Sequence, residues 1–147
     1  MALPAGVSKD SIRAVYETLI GGGTPSNPLS VSASSATIAT TTATIANGAS
    51  LSGAIDLSAG RLARIAIPAS WTTANLTFQT SADNVTFNDL YDSYGTEYTA
   101  TVGGASRAII IPLADFIGVR YLKIRSGTTG TPVNQGADRT LTLVLVP

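Results

Sequence analysis

The sequence predicts an all-β protein built as an antiparallel β-sandwich of about eight strands, and three observations lead there. Short apolar segments with two-residue periodicity recur from Leu51 to Pro147. Turn-forming residues separate them about every 8–12 residues, as is typical of sandwiches and barrels. No helical pattern lies between these segments, so two packed antiparallel sheets are the expected architecture.

The hairpin from Leu76 to Leu90, LTFQTSADNVTFNDL, is the clearest local signal for this fold. Leu76 and Phe78 fall on one face of its first strand with polar residues between them, which is the alternation of a half-buried strand. Asp83 and Asn84 supply the turn, because both side chains bond nearby backbone and tolerate left-handed conformations. We therefore expect Phe78 in the core.

Eight segments are predicted as strands of the sandwich domain, which spans residues 51–147. They are Leu51–Leu57, Arg61–Ile67, Asn75–Ser81, Val85–Leu90, Thr96–Val102, Arg107–Pro112, Val119–Ser126 and Arg139–Val146. Two of these strands are apolar on both faces: Ile109–Ile111 continuously, and the last strand through Val144 and Val146 opposite its leucines. A sandwich strand normally has one solvent-exposed face. We therefore expect both faces of these two strands to be covered, by the N-terminal helix or by another subunit.

Residues 1–50 are predicted to form an N-terminal arm whose main element is an amphipathic helix at about 8–20. Ser8 is a plausible N-cap, and a glycine triplet follows the helix as its end. A helix this short is marginal alone in water, so its apolar stripe should dock on the chain's own sheet or on a neighbouring subunit. The stripe consists of Ile12, Val15, Tyr16, Leu19 and Ile20. Together with Val144 and Val146 it forms the predicted docking interface.

The rest of the arm is a hinge and a low-complexity linker. The glycine triplet and the prolines that follow it permit docking on either partner. Residues 30–50 are rich in Ser, Thr and Ala and nearly uncharged. The threonines favour extended structure, so we expect this linker to lead into a first strand, at a sheet edge or between subunits.

Composition favours assembly and argues against several classes of partner. The chain has 147 residues, nine basic and nine acidic, and only 12% are charged, about half of the usual ~25%. A neutral, Thr-rich surface lacks the charge repulsion that keeps monomers apart, which favours a homo-oligomer. The same neutrality does not favour binding to nucleic acid. No apolar run reaches the ~20 residues that a membrane span needs.

The residue types that carry most enzyme chemistry are missing. The chain contains no histidine and no cysteine, so Ser-His-Asp and Cys-His arrangements and thiolate zinc sites are excluded. No phosphate-binding glycine loop is present either. We therefore predict no catalytic residues, no cofactor and no metal, and interpret the protein as non-enzymatic.

Five residues are candidates for ligand binding, and each has an alternative structural role. Aromatic faces beside polar groups suit sugar recognition, which singles out Trp71, Asp83, Asn84, Asp92 and Tyr94. A lone Trp in a sandwich is more often a core plug, and carboxylates at strand ends are commonly turn residues. The nearby cations Arg120, Lys123 and Arg125 are expected to solvate a face or pair with acids.

Two segments resemble the discoidin-like, galactose-binding-type jelly rolls. TFQTSADNVTFNDL is similar to a strand–turn–strand hairpin of that family, and GVRYLKIRSG is similar to the strand that follows it. The chain then ends on LTLVLV, a hydrophobic strand, as those domains do. The resemblance covers Leu51–Pro147 and implies a jelly-roll sandwich. This chain lacks the disulfide pair of the family, and the ligand-loop residues of the family cannot be placed in its sequence.

The ensemble of arm, linker and sandwich is similar to small virion proteins of tailed bacteriophages. The segments that carry this likeness are AIDL at Ala54–Leu57, IPASWT at Ile67–Thr72, LYD at Leu90–Asp92 and PVNQGADRTLTL at Pro132–Leu143. The resemblance implies a capsid decoration, head-fibre or tail-associated protein, commonly a trimer. Its partners would be further copies of itself and virion proteins such as the major capsid protein. Its location would be the virion, after synthesis in the host cytoplasm.

A carbohydrate-binding module is the alternative function. Such a module would serve a phage tail or host-surface recognition and would bind surface glycans. Its binding residues would lie in the loops near Trp71 and Asp83–Asp92.

Overall fold

A computed structural model describes residues 37–147, and its regular structure is almost entirely β. Residues 36–147 form one compact unit. A single four-residue 3₁₀ helix, Leu113–Phe116, is the one helical element of the described part. The strands are β1 (Ala39–Ile45), β2 (Ile55–Asp56), β3 (Arg61–Ala66), β4 (Leu76–Ser81), β5 (Asn88–Asp89), β6 (Thr99–Ala100), β7 (Ala108–Ile110), β8 (Tyr121–Ser126) and β9 (Arg139–Val146).

The strands form two antiparallel sheets that share one hydrophobic core. Sheet A has the order β1-β9-β3-β7, and sheet B has the order β2-β8-β4-β5, with β6 also paired to β4. Every strand pairing is antiparallel. Residues from both sheets belong to the same cluster of buried side chains. The predicted all-β, two-sheet, sandwich-like architecture is therefore confirmed.

Two-residue alternation builds most of this core. In β9 the leucines at 141, 143 and 145 are buried while the residues between them are only partly covered. Leu62 and Ile65 of β3 are three residues apart yet both buried, because a bulge between Leu62 and Arg64 shifts the register. Phe78 on β4 is fully buried, as the hairpin pattern predicts.

All eight predicted strands contain an observed strand, and the linker strand adds a ninth. β1 is the first strand predicted at the end of the arm's linker, and it lies at a sheet edge, one of the two expected positions. It pairs with β9 along all seven of its residues, from Ala39↔Leu145 to Ile45↔Arg139. The unit that holds the sandwich therefore begins near residue 36, ahead of the predicted boundary at residue 51.

The two strands with apolar residues on both faces differ in their surroundings. Val144 and Val146 are half-buried, because β9 lies inside sheet A between β1 and β3. Ile110 is 81% exposed, because β7 is an edge strand. Thus neighbouring strands partly cover the first pair, whereas the expected cover over Ile110 is not found among residues 37–147.

The predicted helix at 8–20 and its stripe of Ile12, Val15, Tyr16, Leu19 and Ile20 lie outside the described residues. Within residues 37–147, no helix has the length and apolar character needed to cross a membrane.

Candidate functional site

A pocket with aromatic and acidic lining lies on the β5–β6 side of sheet B. Its volume is about 250 Å³, and its lining consists of Leu90, Tyr91, Asp92, Ser93, Tyr98 and Asp115. β5 and β6 pair one after the other with the same strand, β4. The chain between them projects as a short hairpin, which is closed by a bridge between Tyr91 and Glu97. This hairpin forms one wall of the pocket.

Asp92 shapes the tip of that hairpin. Its Oδ1 accepts hydrogen bonds from the backbone N–H groups of Tyr94 and Thr96, both at 2.9 Å. Gly95 completes the turn at a φ of 79°, a conformation that favours glycine. The turn leaves the Tyr94 side chain 92% exposed and Tyr91 half exposed. Asp92 and Tyr94, both predicted ligand residues, therefore lie together, with one Asp92 oxygen committed to the turn.

Tyr98 forms a rigid floor for the pocket. Its hydroxyl donates to Asp115 Oδ2 at 2.7 Å. Its ring packs against Phe78 and Phe116, with centroid distances of 5.7 and 5.5 Å. Burial, with the adjacent Asp115 carboxylate, raises the pKa of Tyr98 well above its usual value. The phenol consequently stays neutral and keeps its hydrogen bond at physiological pH.

A buried ion network anchors the base of the hairpin. Arg125 on β8 is only 7% exposed. Its Nη2 lies 2.6 Å from Asp89 Oδ1, and its Nη1 lies 3.3 Å from Glu97 Oε1. The Thr129 hydroxyl donates to the same Glu97 oxygen at 2.6 Å. These charged groups satisfy one another, which makes the network a structural clamp.

The protonation state of Asp89 follows from this network. Burial opposes ionisation of its carboxyl, but hydrogen bonds from Arg125 and Gln79 outweigh that effect and hold the pKa below its ordinary value. Asp89 is therefore ionised at neutral pH, and its Oδ1 accepts hydrogen bonds from both Arg125 and Gln79. A general acid needs a raised pKa and a free proton, and Asp89 has neither.

The turn at Asp83 and Asn84 is separate from the pocket. Asp83 Oδ1 accepts from the N–H groups of Val85 and Thr86 at 2.9 and 2.8 Å. The Ser81 hydroxyl also donates to it, at 2.8 Å. These bonds lower the pKa of Asp83 to about 2. Asn84 adopts the left-handed region at a φ of 60°. Turn formation, the structural alternative for these residues, is what the geometry supports.

Trp71 lies in the core and presents no ring face to a ligand. It is 8% exposed, and its indole N–H donates to the carbonyl of Ala74 at 3.1 Å. The neighbouring Thr72 backbone is held on both sides by the side-chain amide of Gln135, at 2.9 and 3.1 Å. This anchoring ties the loop down over the core. Trp71 is therefore a core plug, which is the structural alternative that the sequence favours, and it does not form the sugar platform for which it was a candidate.

The cations of the RYLKIR strand pair within the chain, as expected. Besides the Arg125 clamp, Lys123 Nζ lies 4.0 Å from the centroid of the Phe87 ring. Arg120 lies 3.8 Å from Asp56 and stacks beside Tyr121.

Sequence reasoning missed Asp115, Thr129 and Gln135. Gln135 is fully buried, and its Nε2 also donates to the Ser126 hydroxyl at 2.7 Å. Asp115 reaches Tyr98 from 17 positions along the chain. No local pattern marks such residues, because their partners are set by tertiary packing.

A second surface of interest is the outer face of sheet A, which is the face turned away from the core. Opposite positions in its ladders are Thr40 and Val144, Thr42 and Thr142, and Thr44 and Thr140. The last pair is joined hydroxyl to hydroxyl at 3.0 Å. Along β3 and β7 the face continues through Arg64, Ala66, Ala108 and Ile110. The predicted docking residues Val144 and Val146 thus lie on a threonine-rich, weakly charged sheet face.

Within residues 37–147, no group of three or more acidic side chains is brought together in a way that could hold a metal ion. Comparison of the chain with protein-family models, with curated proteins and with solved structures found no match.

Proposed function

We propose that the protein is a non-enzymatic structural subunit of a tailed-bacteriophage particle, of the capsid decoration or head-fibre type, which assembles with further copies of itself. The observation that carries this proposal is the outer face of sheet A. It combines Thr40, Thr42, Val144 and the 81%-exposed Ile110 with little charge. An extended surface of this kind, with apolar residues and few charges, is typical of a contact surface.

The strand order supports a jelly-roll topology. When the two-residue strand β6 is set aside, sheet A joins the first, last, third and sixth strands, and sheet B joins the second, seventh, fourth and fifth. This interleaving of two four-stranded sheets matches the strand order expected of a double Greek key. Viral capsid domains and lectins both use that architecture. As an analogy of fold, it fits both candidate functions.

The use of the acidic residues supports a non-enzymatic role. Every acidic residue between positions 37 and 147 accepts a hydrogen bond from the chain itself. These residues are Asp56, Asp83, Asp89, Asp92, Glu97, Asp115 and Asp138. Since these bonds serve turns and clamps, the described carboxylates are positioned for stability rather than for general acid–base chemistry.

The similarity to small virion proteins extends this proposal to partners and location. It implies a trimer that contacts the major capsid protein, made in the host cytoplasm and carried in the virion. The N-terminal stripe of Ile12, Val15, Tyr16, Leu19 and Ile20 would supply one contact. Val144 and Val146 would supply the other.

Mass measurement of the full chain in solution tests the assembly. We expect an oligomer by native mass spectrometry and light scattering, weakened by Leu19→Asp on the predicted stripe. Ala14→Asp is the matched control, because it introduces the same charge on the opposite side of the predicted helix. A strict monomer at every concentration would count against the proposal, as would equal effects of the two substitutions.

Carbohydrate binding is the second candidate, favoured by the pocket at Tyr91, Asp92 and Tyr98. Tyr94 and Tyr91 present exposed rings beside a carboxylate, and the Tyr98 floor is already rigid. Aromatic faces with nearby acceptors suit sugar rings. Glycan-array binding that is lost in Tyr91→Ala and kept in Val85→Ala would support this function. Val85 is a good control because it is 81% exposed in a different turn.

A further inference from the structure

The edge strands of the two sheets differ in length. Three of the strands at sheet edges, β2, β5 and β7, are only two or three residues long. Short edge strands are a recognised protection against unwanted strand pairing. The remaining edge of sheet A is β1, which runs for seven residues in unbroken register with β9.

β1 also lacks the other devices that protect an edge. Residues 37–46 read TIATTTATIA, without a charge and without a proline. Its ladder with β9 contains no bulge, unlike the ladder between β3 and β9. Natural sheets protect exposed edges with lysines, prolines or bulges, and none of these is present here.

The available part of this edge is short and well defined. A bridge from Ser52 to Ile45 occupies the C-terminal end of the strand. From Ala39 to Thr44, no strand within residues 37–147 pairs with the side opposite β9. Half of the backbone N–H and C=O groups of such a segment point toward the missing neighbour.

We propose that the β1 edge pairs with the β1 edge of a second copy, antiparallel and about a two-fold axis at Thr41. The contact would join two copies of sheet A into one eight-stranded sheet. It rests on the proposed assembly function and names its partner and geometry. A two-fold contact produces dimers or other even-numbered assemblies, in place of the trimer that the resemblance implies.

The residues of β1 are complementary to themselves in this register. A two-fold axis perpendicular to the sheet keeps the outer face on the same side, so even-numbered residues must oppose even-numbered residues. Centring on Thr41 places Thr40 opposite Thr42 and Ala39 opposite Ala43. Cross-strand threonine pairs of this type are favourable, and one already joins Thr44 to Thr140 within the chain.

Length and charge favour pairing of β1 with β1 of a second copy over pairing of β1 with another edge strand. β7 has three residues against seven in β1, so a β1–β7 contact would leave most of β1 unpaired. The charged side chains of this face, Arg61 and Arg64, lie on β3, two strands from the edge. In the dimer, equivalent arginines would be at least about 24 Å apart from strand spacing alone. This distance exceeds the ~8 Å Debye length at physiological ionic strength.

The strand ladder alone is smaller than a standard interface of ~1,200–2,000 Å². We therefore expect dimerisation to depend on concentration, with further contacts completing the assembly in a particle.

Substitution at Thr42 tests the contact in the full chain by analytical ultracentrifugation. Thr42 is exposed on the outer face and lies next to the proposed axis. We expect Thr42→Lys and Thr42→Glu each to weaken dimerisation by about tenfold or more, because like charges would meet across the axis. An equimolar mixture of the two variants should restore the dimer. Ala108→Lys, on the same face at the opposite edge, should leave it unchanged.

Amide hydrogen exchange gives a second measurement. We expect exchange in residues 39–44 to slow as protein concentration rises, and this dependence to disappear in Thr42→Lys. Slow exchange that is independent of concentration would overturn the inference, because it would mean that the chain covers its own edge.

The outcomes separate this inference from the proposed function. An oligomer that neither Thr42 variant weakens would overturn the β1 contact while leaving assembly intact. A strict monomer at every concentration would overturn both. Restoration by the mixed variants supports the two-fold geometry specifically, since a contact elsewhere would not respond to opposite charges at position 42.

Discussion

The outer faces of the two sheets use their polar residues in opposite ways. On sheet B, Arg125, Asp89 and Glu97 form a network that is satisfied within the chain and clamps the projecting hairpin. On sheet A, Thr40, Thr42 and their β9 neighbours form a regular array, and its edge from Ala39 to Thr44 pairs with no other strand among residues 37–147.

This difference indicates a division of tasks. Charged groups that saturate one another specify a local shape, and they leave little capacity for a partner. Uncharged threonines on a flat sheet specify little shape, but they can continue a ladder into another molecule. Sheet B therefore shapes the surface that carries the pocket, whereas sheet A carries the surface that we propose for assembly. Four measurements test whether the two sheets differ in this way.

The largest effect is expected in the core that both sheets share. Phe78→Ala should lower the free energy of unfolding by ~3–5 kcal/mol, because the ring is fully buried against Tyr98 and Phe116. Urea denaturation of the purified variant measures this loss. A loss below ~1 kcal/mol would mean that the two sheets do not depend on a common core.

Breaking the clamp on sheet B should come next. Arg125→Met removes the partner of two carboxylates and should cost ~2–4 kcal/mol, less than a fully buried pair because Asp89 and Glu97 retain some solvent contact. Arg64→Met, at an exposed position of sheet A, is the matched control. Similar losses for both variants in the same denaturation experiment would contradict the proposed difference between the faces.

The loss of stability at acidic pH should also arise from carboxylates of sheet B and its turns. The folded pKa of Asp83 is lowered to about 2, against ~3.9 in an unfolded chain. Its contribution is therefore present above about pH 4 and is lost as the pH falls toward 2. Asp89 contributes in the same direction, since its pKa is also lowered.

Denaturation midpoints measured between pH 5 and about pH 2 test this assignment. We expect Asp83→Asn to flatten the profile, whereas Thr140→Asn on the outer face of sheet A should keep the wild-type slope. An unchanged slope in Asp83→Asn would show that other groups control the acid transition.

The smallest effect is expected on the outer face of sheet A. Thr44→Ala removes the hydroxyl contact with Thr140 and should cost ~0.2–1 kcal/mol of monomer stability. Thermal unfolding at low protein concentration measures it without interference from assembly. A loss of several kcal/mol would mean that this face stabilises the monomer and is not reserved for a partner.

The candidate site was only partly predictable from the sequence. Asp92 and Tyr94 do lie together in an exposed turn, because Asp and Gly within a short polar segment define such turns locally. Trp71 is in the core instead, and the pocket floor comes from Tyr98 and Asp115. Whether an aromatic ring points inward depends on which distant segments pack above it, and no local pattern records that.

The local β structure of this protein is predictable from the amino-acid sequence alone. Alternation located β4 and β9, turn residues located their ends, and Phe78 was placed in the core, because strand periodicity and turn chemistry act over a few residues. The pairing of the strands, in contrast, depends on long-range packing. β1 pairs with β9 from about a hundred positions away, and Arg125 contacts Asp89 across 36 positions. Threonine propensity is the same in a linker and in an edge strand, so only packing against β9 distinguishes the two.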